Sequence, residues 1–138
     1  MPELKEDPNQ WCFACGRLNP IGLKLQFEED TETGVYRSRF IAGPEHQSYD
    51  GVMHGGLVST LLDEIMGRYY YAKGKQAVTA KLEVRFRAPT PIGQELIIEG
   101  WVVGQRGKMA EMTAQVRLAD GAITAEGKAV VAILGDLS

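Results

Sequence analysis

Hydrophobic and polar residues alternate along most of this chain, and one segment replaces that alternation with a helical period. Leu23, Leu25 and Phe27 alternate with Lys24, Gln26 and Glu28, the pattern of a half-buried strand. Glu32-Thr33-Gly34 is a turn, residues 35–41 resume as a strand, and the Gly/Pro/polar stretch 42–53 reads as a loop. The most regular alternation runs from 78 to 88. Val78, Ala80, Leu82, Val84, Phe86 and Ala88 fall on one face, with Thr79, Lys81, Glu83, Arg85 and Arg87 on the other. That phase puts Thr79 on the polar side. Pro89-Thr90-Pro91-Ile92-Gly93 ends the run, and strands over 96–103, 110–118 and 123–134 follow. Turns at Gly104-Gln105-Arg106-Gly107 and Asp120-Gly121 join these last three into an expected antiparallel meander.

Between the two halves, residues 54–72 predict a single helix. Leu57, Val58, Leu61, Leu62, Ile65, Met66, Tyr69 and Tyr70 recur at helical spacing and give it a wide apolar stripe. One helix cannot fill its own core, and an antiparallel sheet needs a cover for its apolar face. The expected architecture is α+β, a curved antiparallel sheet wrapped around one long central helix.

The helix has an unusual flank. Asp63 projects at the edge of the stripe beside Gly56, Ser59, Gly67 and Tyr70, where small residues let another backbone or a ligand approach a carboxylate. Gly67 in a helix interior costs about 1 kcal/mol relative to alanine. Glu64 points elsewhere and precedes Arg68 by four residues, so a surface ion pair accounts for it. The helix opens on His54-Gly55-Gly56. N–H groups at a helix start have no intrahelical partner, and with the positive end of the helix dipole they suit a developing oxyanion. A flexible joint with a satisfied histidine is the plainer reading of the same residues.

Composition narrows the function classes. At 138 residues the chain is one domain by length, and 44% hydrophobic with 24% charged residues is ordinary for a globular protein. A net charge of −3 gives no general attraction to phosphate backbones, so no nucleic-acid partner is expected. No apolar run approaches a membrane span, and the first eight residues have no apolar segment of the secretory type, so a cytoplasmic protein is expected. The 16 glycines exceed the roughly 7% of average proteins.

Other chemistry is poorly supported. Cys12 and Cys15 form one C-x-x-C, but a structural zinc wants four ligands, and His46 and His54 are the only histidines. The cysteines are therefore expected to pack a turn with Gly16, Asn19 and Gly22, and no metal is expected. Asp63 stands about 13 Å of helical rise from His54, too far for one iron site within a subunit. Any cooperation between the two requires two chains. There is no Walker-type phosphate loop and no dinucleotide fingerprint.

His54-Gly55-Gly56-Leu57-Val58-Ser59-Thr60-Leu61-Leu62-Asp63-Glu64 resembles the signature of hotdog-fold acyl-CoA thioesterases of the PaaI-like group. The resemblance continues through residues 78–86, the Pro89/Pro91-Gly93 turn and the final meander, and so covers most of the chain. Cys12-Phe13-Ala14-Cys15-Gly16 with Asn19-Pro20-Ile21-Gly22-Leu23 resembles the N-terminal signature of a subset of these proteins. The resemblance implies a single hotdog domain over 1–138 with an N-terminal extension of about 22 residues. It implies Asp63 as general base or nucleophile, Gly55 as the oxyanion-hole N–H, His54 as a guide for the thioester carbonyl, and Thr79 at the position that orients the attacking water. It places the site between subunits of a homodimer or homotetramer. No cofactor is implied, because coenzyme A is part of the substrate. Gly56, Ser48, Arg106 and Lys108 are the further expected substrate contacts. Many family members carry asparagine six residues before the histidine, where this chain has Ser48 between Gln47 and Tyr49. A non-catalytic acyl-CoA or acyl-carrier binding module of the same fold is the alternative.

Lys81, Arg85, Arg87, Arg106 and Lys108 are the basic residues available to coenzyme A phosphates. Leu57, Leu61, Tyr69, Tyr70 and Phe86 could line an acyl pocket or fill the core. Nothing in the sequence specifies the acyl group.

Overall fold

The structure is a computed structural model that describes residues 10–137; the first nine residues of the expected N-terminal extension lie outside the described residues. The strands are β1 (Phe27–Asp30), β2 (Val35–Ile41), β3 (Lys75–Phe86), β4 (Glu95–Arg106), β5 (Met109–Leu118) and β6 (Ile123–Asp136). Helix α1 (Gly55–Ala72) lies between β2 and β3, and a short 3₁₀ turn (Pro44–His46) precedes it. The strands form one antiparallel sheet in the order β1-β2-β4-β5-β6-β3. The meander expected for the last three strands is present, and β3 lies at the far edge beside β6. This is the curved sheet around one helix that the patterning predicted.

Helix α1 buries Val58, Leu61, Leu62, Ile65, Met66 and Tyr70 against the inner face of the sheet. The facing positions of β5 are Ala110, Met112, Ala114 and Val116, which alternate with Glu111, Thr113 and Gln115. Each large apolar side chain removed from water contributes about 1.5–3 kcal/mol. Two strand glycines let the helix sit close. A Cβ at Gly100 would lie 3.2 Å from Ile65, and one at Gly127 would lie 3.2 Å from Met66 and 3.4 Å from Leu62.

Two expectations are corrected. The first strand begins at Phe27 rather than Leu23. Leu23 and Leu25 are buried, but their N–H groups donate to Phe13 and Ala14 carbonyls, and Lys24 between them has φ 55°. These residues pair with the N-terminal segment instead of β2. The second correction concerns β3, which does not alternate uniformly. Thr79 pairs with Val131 and Lys81 with Val130, leaving Ala80 as an extra, unpaired residue. This bulge changes the phase of the strand. Ala77 and Thr79 face the helix before it and Leu82 and Val84 after it, while Val78 and Ala80 are exposed. Thr79 therefore points inward, opposite to the strict alternation. Among the described residues no helix is long and apolar enough to cross a membrane.

Candidate active site

Asp63 lies on the third turn of α1, where the helix passes the start of β3. The Thr79 hydroxyl donates to Asp63 Oδ1 at 2.6 Å, a short bond of the charge-assisted kind. The pair borders a cavity of about 270 Å³ lined also by Cys12, Glu64, Gly67, Arg68 and Lys75. Asp63 and Thr79 are both half-buried. One carboxylate oxygen is engaged by Thr79, which leaves the other for a water or a substrate. Gly67 borders the cavity, and a Cβ there would stand 3.6 Å from Thr79 Oγ1, ordinary contact. Within one chain the close approach expected at Gly67 is not required by sterics.

The helix start is built separately. His54 is the N-cap of α1, and its Nδ1 accepts the Gly56 N–H at 2.9 Å. The ring folds back over Gly56, where a Cβ would meet it at 3.1 Å. Accepting through Nδ1 leaves the proton of the neutral imidazole on Nε2, which points a donor outward. His54 is further fixed by its own N–H, which donates to the His46 carbonyl at 2.8 Å. Leu57 N–H reaches the His54 carbonyl at 3.0 Å, and Gly56 N–H is taken by the ring. Among the described residues the Gly55 N–H has no partner, so of the two glycines Gly55 presents the free donor. The exposed Phe86 ring stands beside it, 3.4 Å from where a Gly55 Cβ would be.

The two parts do not meet within one chain. Eight residues of helix separate Gly55 from Asp63, about 12 Å of rise, and neither His54 nor Gly55 lines the Asp63 cavity. Ser48 is exposed in the loop before the helix, where its N–H donates to the Val52 carbonyl. Arg106 and Lys108 are exposed around the β4–β5 turn without ion-pair partners among the described residues. Lys108 borders a second cavity that shares Lys75 with the Asp63 cavity. Arg87 and Lys81 are paired with Glu126 and Glu83. Of the expected acyl-pocket residues, Leu61 and Tyr70 are core, Leu57 and Tyr69 pack against its edge, and Phe86 is exposed.

Glu64 corrects a sequence expectation. It is not a surface partner of Arg68: it turns toward the N-terminal segment, where Cys12 Sγ stands 3.7 Å from Oε2. Burial raises its carboxyl above the ordinary value. Burial likewise pushes the Cys15 thiol well up, with the Glu64 carboxylate adding to the effect. Arg68 instead donates to the Tyr36 hydroxyl at 3.0 Å and stands over the Phe27 and Tyr71 rings. The local i,i+4 spacing gave no signal for partners 52 residues away.

The chain is similar in sequence and fold to known thioesterases. Bovine acyl-coenzyme A thioesterase THEM4 is 28% identical over 108 residues, 78% of this chain and 44% of that protein. Human acyl-coenzyme A thioesterase 13 is 28% identical over 87 residues, 61% of this chain and 62% of that protein. The chain thus spans 44% and 62% of the lengths of these relatives. A Bacillus halodurans protein solved with CoA superposes with a TM-score of 0.71 at 26% identity, covering 81% of this chain and 75% of that one. The Escherichia coli PaaI protein has a TM-score of 0.74 at 16% identity, covering 84% of each chain, and shares the fold. Residues 50–125, which carry the helix start, Asp63 and Thr79, match the thioesterase superfamily. The match spans more than half of the sequence, and this chain belongs to that superfamily.

Proposed function

We propose that the protein hydrolyses acyl-CoA thioesters to the free acid and coenzyme A, at a site completed by two copies of the chain. The observation that carries this reading is the Asp63–Thr79 pair, a carboxylate held by one oxygen at the rim of a cavity. In this mechanism the free oxygen of Asp63 takes a proton from water as the water attacks the thioester carbonyl. The Gly55 N–H of the other copy stabilises the oxyanion that forms. Collapse of the tetrahedral intermediate breaks the C–S bond, and the leaving coenzyme A thiolate takes the proton back from Asp63, which restores the carboxylate. Thr79 spends its hydroxyl proton on Asp63, so it sets the carboxylate and meets the water only as an acceptor. His54 Nε2–H is a second donor for the carbonyl. Asp63 attacking directly as a nucleophile is compatible with the same arrangement.

Two features support assembly from two copies. The helical rise keeps Gly55 and Asp63 apart in one chain, and β3 is a 12-residue strand whose outer edge is unpaired among the described residues. Such an edge, with Val78 and Phe86 exposed, is a ready template for pairing with another strand. Arg106 and Lys108 are the proposed contacts for the coenzyme A phosphates, with Ser48 and Gly56 near the thioester end. The CoA bound in the Bacillus halodurans relative supports a ligand of that class.

The test is release of free thiol from a panel of acyl-CoA substrates by wild type and Asp63→Asn, with oligomeric state followed by sedimentation. Hydrolysis lost in Asp63→Asn is the expected result. Tight acyl-CoA binding without thiol release would instead favour the non-catalytic binding module.

A further inference from the structure

The cluster formed by Cys12, Cys15 and Glu64 has no role in the reaction assigned to Asp63. One donor atom from each residue lies within 4.8 Å of the other two, and all three residues are partly buried. Zinc binds sulfur at about 2.3 Å and carboxylate oxygen at about 2.0–2.2 Å. A tetrahedral ion therefore requires S···S edges of about 3.8 Å and S···O edges of about 3.5 Å. Cys12 Sγ already stands 3.7 Å from Glu64 Oε2. The remaining separations need only small side-chain rotations.

The segment that presents the sulfurs is tightly built. Gly16 N–H donates to the Cys12 carbonyl at 2.8 Å, and a Cβ at Gly16 would fall 2.4 Å from Cys12 N. Only glycine fits that turn. Leu23 and Leu25 N–H groups bond to Phe13 and Ala14 carbonyls, and Ala14 is buried in the core. The two cysteines are thus held over Glu64 by the backbone. Charge is also suitable: two thiolates and a carboxylate carry three negative charges, which a dication and the neighbouring Arg68 guanidinium balance. Two soft sulfur donors select a thiophilic ion over magnesium or calcium. Sequence spacing alone offered only two of the ligands, because the third comes from α1.

We propose that Cys12, Cys15 and Glu64 bind a zinc-class divalent cation that clips the N-terminal segment to α1 beside the Asp63 cavity. The three side chains supply three ligands, and water takes the fourth position. The site stands independently of the reaction proposed for Asp63.

The test uses the full chain, reduced, equilibrated with zinc and freed of excess ion. About one zinc per chain is expected. Cobalt(II) in its place should give thiolate-to-metal charge transfer and the visible bands of a tetrahedral site. Cys12→Ser/Cys15→Ser should lose both metal and bands, and Glu64→Gln should weaken zinc roughly tenfold or more in competition with a chelating dye. The chain has two cysteines, so thiol alkylation gives a readout that needs no variant. Saturating zinc should slow alkylation of both by at least about tenfold. Wild type holding no more zinc or cobalt than the folded double variant overturns the site. So do alkylation rates unchanged by zinc, or cysteines that resist reduction as a disulfide.

Discussion

Thr79 Oγ1 and Asp63 Oδ1 are 2.6 Å apart because an extra residue in β3, Ala80, turns Thr79 toward the helix. Removing the carboxylate and removing its holder should therefore differ in kind. Asp63→Asn is expected to lower kcat for acyl-CoA hydrolysis by about 10²–10⁴. Thr79→Ala should lower it by about 10- to 100-fold, while Thr79→Ser, which keeps the donor, stays within a few-fold of wild type. Steady-state thiol-release kinetics on the three variants check this order.

Deleting Ala80 removes the bulge and restores uniform alternation. Leu82 and Val84 then keep their places only if Thr79 turns outward. The deletion is expected to reduce turnover at least as far as Thr79→Ala, and replacing Ala80 by Ser to change it little. Comparing the two by hydrolysis rate, with circular dichroism to verify folding, separates chain length from side-chain identity.

Gly55→Pro tests the oxyanion donor without disturbing the helix. Position 55 is the first helical residue, where proline is favoured, and His54 at φ −59°, ψ 132° has the extended backbone that a residue before proline prefers. The substitution deletes one N–H that has no structural partner. Turnover should fall by about 10²–10³, and the unfolding midpoint in urea should hold. A loss of stability equal to the loss of rate would show that Gly55 serves the fold instead.

Glu99 sets an acid limit on stability. It is buried on β4, which raises its carboxyl, but hydrogen bonds from Arg117, Gln115 and Arg37 prevail and lower it from 4.5 to about 2. A carboxyl lowered in the folded state contributes stability above its unfolded value and loses it as pH falls through the folded one. About 3 kcal/mol should be lost between about pH 4.5 and pH 2. Glu99→Gln should be less stable at pH 7, since it leaves Arg37 and Arg117 unpaired, and should flatten that acid limb. Urea unfolding at pH 7, 4 and 3 measures both effects.

Much of this was legible in the sequence because the code is local. The alternation in 110–118 and the helical stripe from Leu57 to Tyr70 survive in the fold because each face meets a single environment. Thr79 was misplaced because Val78, Ala80 and Leu82 continue an apolar pattern across a bulge, and an alanine carries no mark of being unpaired. Glu64 was misread because its spacing to Arg68 satisfies a local rule, whereas Cys12 reaches it only through tertiary folding. The glycine excess by itself marks no position in the chain. Its two tightest helix contacts, at Gly100 and Gly127, lie in strands where nothing nearby in sequence announces a crossing helix.

Those two glycines make the sheet a keyway. Ile65 sits in one notch, and Met66 with Leu62 in the other, so the helix is seated at a set depth and a set rotation. Depth is what a 2.6 Å contact registers. A methyl group at either notch would lift the helix by a few tenths of an ångström and loosen Asp63 from Thr79 without touching either residue. The alignment of the carboxylate is thus machined into the far side of the core, and distant, conservative-looking changes there should act on turnover before they act on folding.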